Sequence, residues 1–230
     1  GFNSPLAGGL PIPASLLSYK PEVIWAFEGG VKSSWFDNRL QANLSIFHYD
    51  YRDYQAFLFA GVGGIVLNRD SKTNGGELSI KAVPARGLNI TAGVSYTDAK
   101  VYNFPTDVTE QVVRTVRPSF TPKWRSNLDA RYSHSFHNGT LTWDANWTYR
   151  SEMFFSLRNF AAVSDVGHSK FGAGISWEDH SEQLNFGLRV ENLTNERIKT
   201  SVFDVASVCG CVDVSYELPR VYTLSVRYNF

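Results

Sequence analysis

Long runs of strict alternation between bulky apolar and small polar residues constrain this chain more than any other feature. In "LTWDANWTY", Leu141, Trp143, Ala145, Trp147 and Tyr149 share one side, while Thr142, Asp144, Asn146 and Thr148 share the other. "LNITAGVSYT" repeats the pattern with Leu88, Ile90, Ala92, Val94 and Tyr96. The last ten residues, "VYTLSVRYNF", set Tyr222, Leu224, Val226, Tyr228 and Phe230 against Thr223, Ser225, Arg227 and Asn229. A period of two is the side-chain period of a strand, not of a helix. The apolar side of such a strand must be covered, by a protein core or by lipid.

The alternation predicts nine strands, at about 20–36, 38–56, 65–84, 88–104, 122–136, 140–155, 165–178, 184–197 and 216–230. In "LQANLSI" and beyond, the phase slips: Phe47, Tyr49 and Tyr51 take the side that Gln41, Asn43 and Ser45 began as polar. A β-bulge, or aromatics pointing into a wide interior, accounts for that. The connections alternate in length. "DN" at 37–38, "PARG" at 84–87, the Asn-Gly turn in "HNG" at 137–139 and 179–183 are short; 1–19, 57–64, 105–121, 156–164 and 198–215 are long. The fold class that follows is all-β: an antiparallel up-and-down sheet, with every tight turn at one end and every long loop at the other. Transmembrane β-barrels have that asymmetry, and a tilted membrane strand needs ~9–11 residues. A soluble β-sandwich also alternates, but its strands run nearer ~5–6 residues and its loops keep no short-long rhythm. Trp35, Trp124, Trp143, Trp177, Tyr102 and Tyr222 lie near strand ends, where interfacial aromatics belong, while Trp25 and Trp147 lie nearer mid-strand.

Composition excludes several classes. Lys and Arg balance Asp and Glu at 22 each, so there is no basic excess for nucleic acid. No stretch approaches the ~20 apolar residues of a membrane helix. His48, His134, His137, His168 and His180 are scattered and make no metal-ligand run. "GVGG" at 61–64 opens no helix, so it fails as a phosphate loop, and no G-x-S-x-G elbow is present. Catalytic residues, metal and cofactor are therefore all read as none. Cys209 and Cys211 flank one Gly; they are read as a disulfide pinning the last long loop, as free thiols, or as partners of another segment.

Residues 19–55, "YKPEVIWAFEGGVKSSWFDNRLQANLSIFHYDYRDYQ", resemble the C-terminal half of TonB-dependent outer-membrane receptors. The resemblance rests on Pro21-Glu22, Glu28-Gly29, Lys32, Asn38-Arg39-Leu40, Phe47, Tyr51 and Gln55. It continues through Asn68, Gly76-Glu77, "NLTN" at 192–195 and Pro219-Arg220, then the aromatic-alternating last strand. It implies that the chain is the C-terminal part of a 22-stranded type of barrel, with 1–19 an extracellular loop or remnant and 20–230 the wall. It also implies a Gram-negative outer-membrane location and import of a scarce solute of siderophore, vitamin or carbohydrate class. The plug domain and energy-coupling box of the family are not in this sequence. The implied partners are the remainder of the same receptor (plug and N-terminal strands), the TonB complex through that plug, the barrel-assembly machinery and the lipid bilayer.

A terminal aromatic strand is, in this family, the assembly signal, here Tyr228 and Phe230. Ligand contacts are expected from loop residues with aromatic or cationic reach: Phe59, Tyr102, Arg114, Arg117, Phe154, Phe155, Arg158 and Phe160. Arg114 and Arg117 have the chemistry to clamp a carboxylate or phosphate, or to stand as solvated loop charges. A passive porin-type channel and a soluble β-sandwich binding module are the alternative functions.

Overall fold

A computed structural model describes residues 1–4, 6–7, 10–60, 63–106, 112–205 and 209–230. Its principal sheet contains β1 (Val23–Trp35), β2 (Leu40–Ala60), β3 (Gly63–Ala85), β4 (Leu88–Pro105), β5 (Val113–Val116), β6 (Trp124–Phe136), β7 (Gly139–Arg150), β8 (His168–Asp179), β9 (Leu184–Glu191) and β10 (Val221–Tyr228). All neighbours are antiparallel, in the order β10-β9-β8-β7-β6-β4-β3-β2-β1, with the short β5 added to the upper part of β4. β1 and β10 are the two edges and do not pair with each other. The nine expected strands are therefore present in the expected up-and-down order.

The two sides of the sheet follow the alternation. One side carries Phe27, Val31, Leu44, Ile46, Leu128, Trp143, Leu188, Leu224 and Val226, all exposed, Leu224 at 77% and Val31 at 65%. The other side carries Glu28, Lys32, Asn43, Ser45, Glu77, Ser79, Arg125 and Lys170, which line one cavity of about 1070 Å³ together with residues of β1 to β4 and β6 to β8. A single sheet whose one face lines one cavity across that many strands curls around it, so the polar face is the inner one. No other sheet covers the outer, apolar face among the described residues.

Phe47, Tyr49 and Tyr51 keep an unbroken register against Gly75, Thr73 and Ser71, so the phase change is real and not a slip of pairing. These aromatics point inward; the Phe47 and Tyr49 rings stack at 5.1 Å and the Tyr49 hydroxyl donates to Glu28. A bulge does occur, but later, between Tyr51 and Tyr54, where Asp53 adopts φ 55°.

Three expectations about connections are corrected. Residues 57–64 are not a loop: β2 runs through Ala60 and β3 starts at Gly63, with 61–62 (part of "GVGG") outside the described residues. At 21 residues and ~3.4 Å each, β2 is ~70 Å long, about twice what a membrane band requires. The extra length survives because Ala56, Leu58, Ile65 and Leu67 bury their side chains against Val101, Phe104, Val116 and Leu157. Next, the tight turn in "HNG" is His137-Asn138, with φ 54° at His137; Gly139 already belongs to β7, opposite Phe136. Gly139 serves packing instead, since a Cβ there would lie 2.6 Å from the Trp177 indole. Finally, the link 105–121 holds β5, the expected link 156–164 widens to 151–167 and holds the pair Met153–Phe154 with Ser164–Asp165, and the expected link 198–215 holds the hairpin Lys199–Val205 with Cys211–Tyr216. The N-terminal segment is docked as well: the Asn3 side chain accepts from the Val66 N–H at 2.7 Å and donates to the Val66 carbonyl at 2.9 Å, which mimics a strand neighbour on β3.

Candidate functional site

The long connections gather at one end of the sheet and pack on each other, which brings distant predicted residues together. Arg158 is central. Its Nη1 lies 3.3 Å from Asp204 Oδ2 and its Nη2 donates to the Phe59 carbonyl at 3.0 Å. The Phe59 ring rests on Phe203 with centroids 4.8 Å apart. One guanidinium thus ties the top of β2 to the 151–167 link and to the 199–216 hairpin.

Arg117 anchors a second group. Its N–H donates to Asn159 Oδ1 at 2.7 Å, and Asn159 Nδ2 returns a bond to the Arg117 carbonyl at 2.9 Å. The Arg117 guanidinium pairs with Glu152 at 2.6 Å and lies 4.6 Å from the Phe154 ring centroid. Arg114 stands exposed on β5, opposite Phe104, three residues before Arg117. Phe155 is 7% exposed and packs with Met153, Val163 and Val202, with its ring edge-on to Phe120 at 5.3 Å; it is a core residue. Phe160 is 40% exposed, and Tyr102 is half-buried beside a groove formed with Asp53, Asn68 and Asn103.

Sequence reasoning missed Asp165, an acid with several partners at this end. Its Oδ2 takes the Arg150 guanidinium, His168 Nε2 at 3.1 Å and the Lys199 N–H at 3.3 Å, with the side chain only 5% exposed. Those donors come from β7, β8 and the stretch after β9, so no local spacing announces the group. Lys170 meets Glu217 at 2.8 Å, and Arg189 meets Asp144 at 2.9 Å, both on the inner face. The chemistry available is recognition: aromatic faces, paired charges and hydroxyls over a polar hollow. No group of three metal-ligating side chains occurs among the described residues.

Cys209 and Cys211 are bonded to each other across Gly210, which adopts φ 66°, at the tip of the 199–216 hairpin. Tyr228 closes β10 opposite Leu184, and Phe230 follows it fully exposed, its ring edge-on to Tyr228 at 5.0 Å.

Comparison with known proteins agrees with this architecture. Residues 1–193 match the family model described as "TonB dependent receptor-like, beta-barrel". The ferric yersiniabactin uptake receptor FyuA from Yersinia pestis is similar over 91% of this chain and 30% of its own, at 15% identity and TM-score 0.73. The ferric-catecholate import receptor Fiu from Escherichia coli is similar over 98% of this chain and 30% of its own, at 18% identity and TM-score 0.69. The ferric preacinetobactin receptor BauA from Acinetobacter baumannii is similar over 90% of this chain and 29% of its own, at 19% identity and TM-score 0.66. The chain thus spans about three tenths of the length of these structures. With a family match across most of its residues and a barrel-wall fold, this chain belongs to the TonB-dependent receptor-like β-barrel family.

Proposed function

We propose that this chain is the C-terminal part of the wall of an outer-membrane receptor that imports a scarce solute with TonB-supplied energy. The observation that carries the reading is the exposed apolar outer face, uncovered by any protein layer among the described residues, opposite a charged inner face around a hollow. In water such a face would be a liability; in a bilayer it is the solvent contact. The unpaired edges of β1 and β10 are the seams at which the remaining strands join. The plug of the same receptor occupies the hollow, and the barrel-assembly machinery reads Tyr228 and Phe230. The long-link end faces the cell exterior, where Phe59, Arg117, Phe154 and Arg158 shape the mouth and the Cys209–Cys211 bond pins its outermost hairpin. The solute is of siderophore, vitamin or carbohydrate class, and the protein is not an enzyme.

The test uses the longer protein that contains this chain, expressed in a Gram-negative host. It is expected in the outer-membrane fraction, with heat-modifiable mobility, and to give solute accumulation that stops when TonB is removed or a protonophore is added. Accumulation that persists without energy would make it a passive channel; a water-soluble folded protein would return the β-sandwich reading.

A further inference from the structure

The hairpin Lys199–Val205 with Cys211–Tyr216 ends in the two cysteines of the chain. Val205 and Cys211 form the last pair of its ladder, and Cys211 is bonded back to Cys209 across Gly210 alone. A cross-link that encloses one residue fixes the tip and little else, because the chain entropy removed by a disulfide grows with the loop it closes. The body of the hairpin is fastened elsewhere. Val202, Val212 and Val214 pack with Met153, Phe155 and Val163, and Asp204 meets Arg158 at 3.3 Å.

A disulfide resists reduction when the fold holds its two thiols together after the bond opens. Here the fold holds one of them. Cys211 belongs to the ladder, whereas Cys209 lies outside it, on the far side of Gly210, which adopts φ 66° and carries no side chain to keep it there. Cys209, Gly210 and Cys211 are all exposed, so a thiolate reaches the bond from water. Exposed disulfides are the readily exchanged class. The two sulfurs differ in their surroundings. Cys209 Sγ lies 3.4 Å from the Val205 carbonyl, an acceptor in place for an S–H. Asp213 follows Cys211 by two residues on the same strand, so both point to one side, about 7 Å apart. Asp213 is exposed, and its opposite neighbour is Phe203 rather than a cation.

We propose that the Cys209–Cys211 bond is a thiol-exchange site and that Asp213 selects cationic aminothiols for it. The thiolate of the incoming molecule attacks Cys211 Sγ. The S–S bond breaks and its electron pair leaves on Cys209 Sγ, which takes a proton from water and donates the new S–H to the Val205 carbonyl. Cys211 then carries the small molecule as a mixed disulfide. Attack by the Cys209 thiolate restores the original bond and releases the thiol. Attack by a second aminothiol on the first one's sulfur releases the aminothiol disulfide and leaves both cysteines reduced, two thiols having supplied the two electrons. An ammonium on the incoming molecule is drawn to Asp213 and a sulfonate is repelled, each by about threefold at ~7 Å in water of low ionic strength. The exchange requires neither the transported solute nor TonB.

The test uses the purified full-length receptor in detergent at low salt, with millimolar cysteamine or mercaptoethanesulfonate, read by mass spectrometry of the intact protein and of its peptides. Cysteamine is expected on Cys211, and the equilibrium constant for reduction is expected roughly a thousandfold above that of a structural disulfide. The ratio of the cysteamine rate to the sulfonate rate is expected to fall about sevenfold in Asp213→Asn, a comparison in which the intrinsic reactivities of the two thiols cancel. Cys209→Ser/Cys211→Ser is expected to give no adduct at these positions and to keep heat-modifiable mobility. A bond inert to millimolar thiol, an adduct confined to Cys209, or an unchanged ratio in Asp213→Asn overturns the proposal. Loss of heat-modifiable mobility on reduction makes the bond a structural staple and overturns it as well. Solute accumulation is measured separately, so a failure of the receptor reading leaves the exchange result standing, and the reverse.

Discussion

Replacing Asp165 should loosen the long-link end without dissolving the wall. One oxygen, Oδ2, accepts from Arg150, His168 and the Lys199 backbone, and the side chain is 5% exposed. In Asp165→Ala all three donors lose their common acceptor. A hydrogen bond to a charged group contributes ~1.5–3 kcal/mol, and breaking a buried pair costs ~3–5 kcal/mol. Arg150 retains 18% exposure and can recruit water, which lowers the cost. A net loss of about 2–4 kcal/mol in local stability follows, or about 30- to 900-fold more frequent opening. Asp165→Asn keeps an oxygen in place but removes its charge, so its effect should fall between Ala and wild type.

The assay is hydrogen exchange, read by mass spectrometry on the full-length receptor in detergent. Peptides spanning 151–167 and 196–200 should exchange faster in Asp165→Ala, while peptides from β3 and β6 should not change. Uniform acceleration across the sheet would show that Asp165 supports the wall itself. Unchanged exchange in the two links would refute the idea that one carboxylate holds them together.

Gly87→Ala should destabilise by at least ~1–2 kcal/mol, because Gly87 holds φ 81° and a Cβ would lie 2.2 Å from the Ser133 carbonyl; the heat-modification midpoint reads it. Thiol labelling without reductant should leave Cys209 and Cys211 unmodified, and labelling after reduction should modify both. Arg158→Ala should raise protease cutting within 199–216, because Asp204 and the Phe59 carbonyl lose their shared donor. Deleting Phe230 should lower the amount of receptor in the outer membrane more than the solute affinity of what remains; equal membrane levels would remove the assembly role.

The wall was legible because its instructions are local. Alternation in 88–97 or 141–149 specifies both the strand and its two faces, and the tight turns specify which strands are neighbours. The inward turn of Phe47 and Tyr49 was visible as a break in phase, but the sequence left two explanations open; only the continuous register to Gly75 and Thr73 separates them. The long links were not legible, because their short strands exist only where a partner lies alongside. β5 needs the upper part of β4, and Met153–Phe154 needs Ser164–Asp165. Asp165 escaped for the same reason: its donors lie 15 residues before, 3 after and 34 after it. Phe155 reads from the sequence as an aromatic beside a long loop, whereas Val163 and Val202 pack it into a core.

The position of the buried residues explains why the two parts differ. Ala56, Leu58, Ile65, Leu67, Val101, Phe104, Val116 and Leu157 form one core, and Met153, Phe155, Val163 and Val202 a second. Both lie at the long-link end. The alternating band, from the short turns up to Tyr96 and Trp124, contributes no buried hydrophobic side chain among the described residues. Its interior strands pair on both sides, β1 and β10 on one side only, and its outward apolar side chains touch only their neighbours on the same face among the described residues. A strand band without a core holds its shape only where the surroundings are apolar and the edges are joined. The loop end, with its own cores and paired charges, is built by the rules of a water-facing domain. On the membrane reading proposed above, changes to loop residues reshape the long-link end at little cost to the wall, whereas a charge placed on the outer face, at Val31 or Leu188, acts on the wall through its contact with lipid.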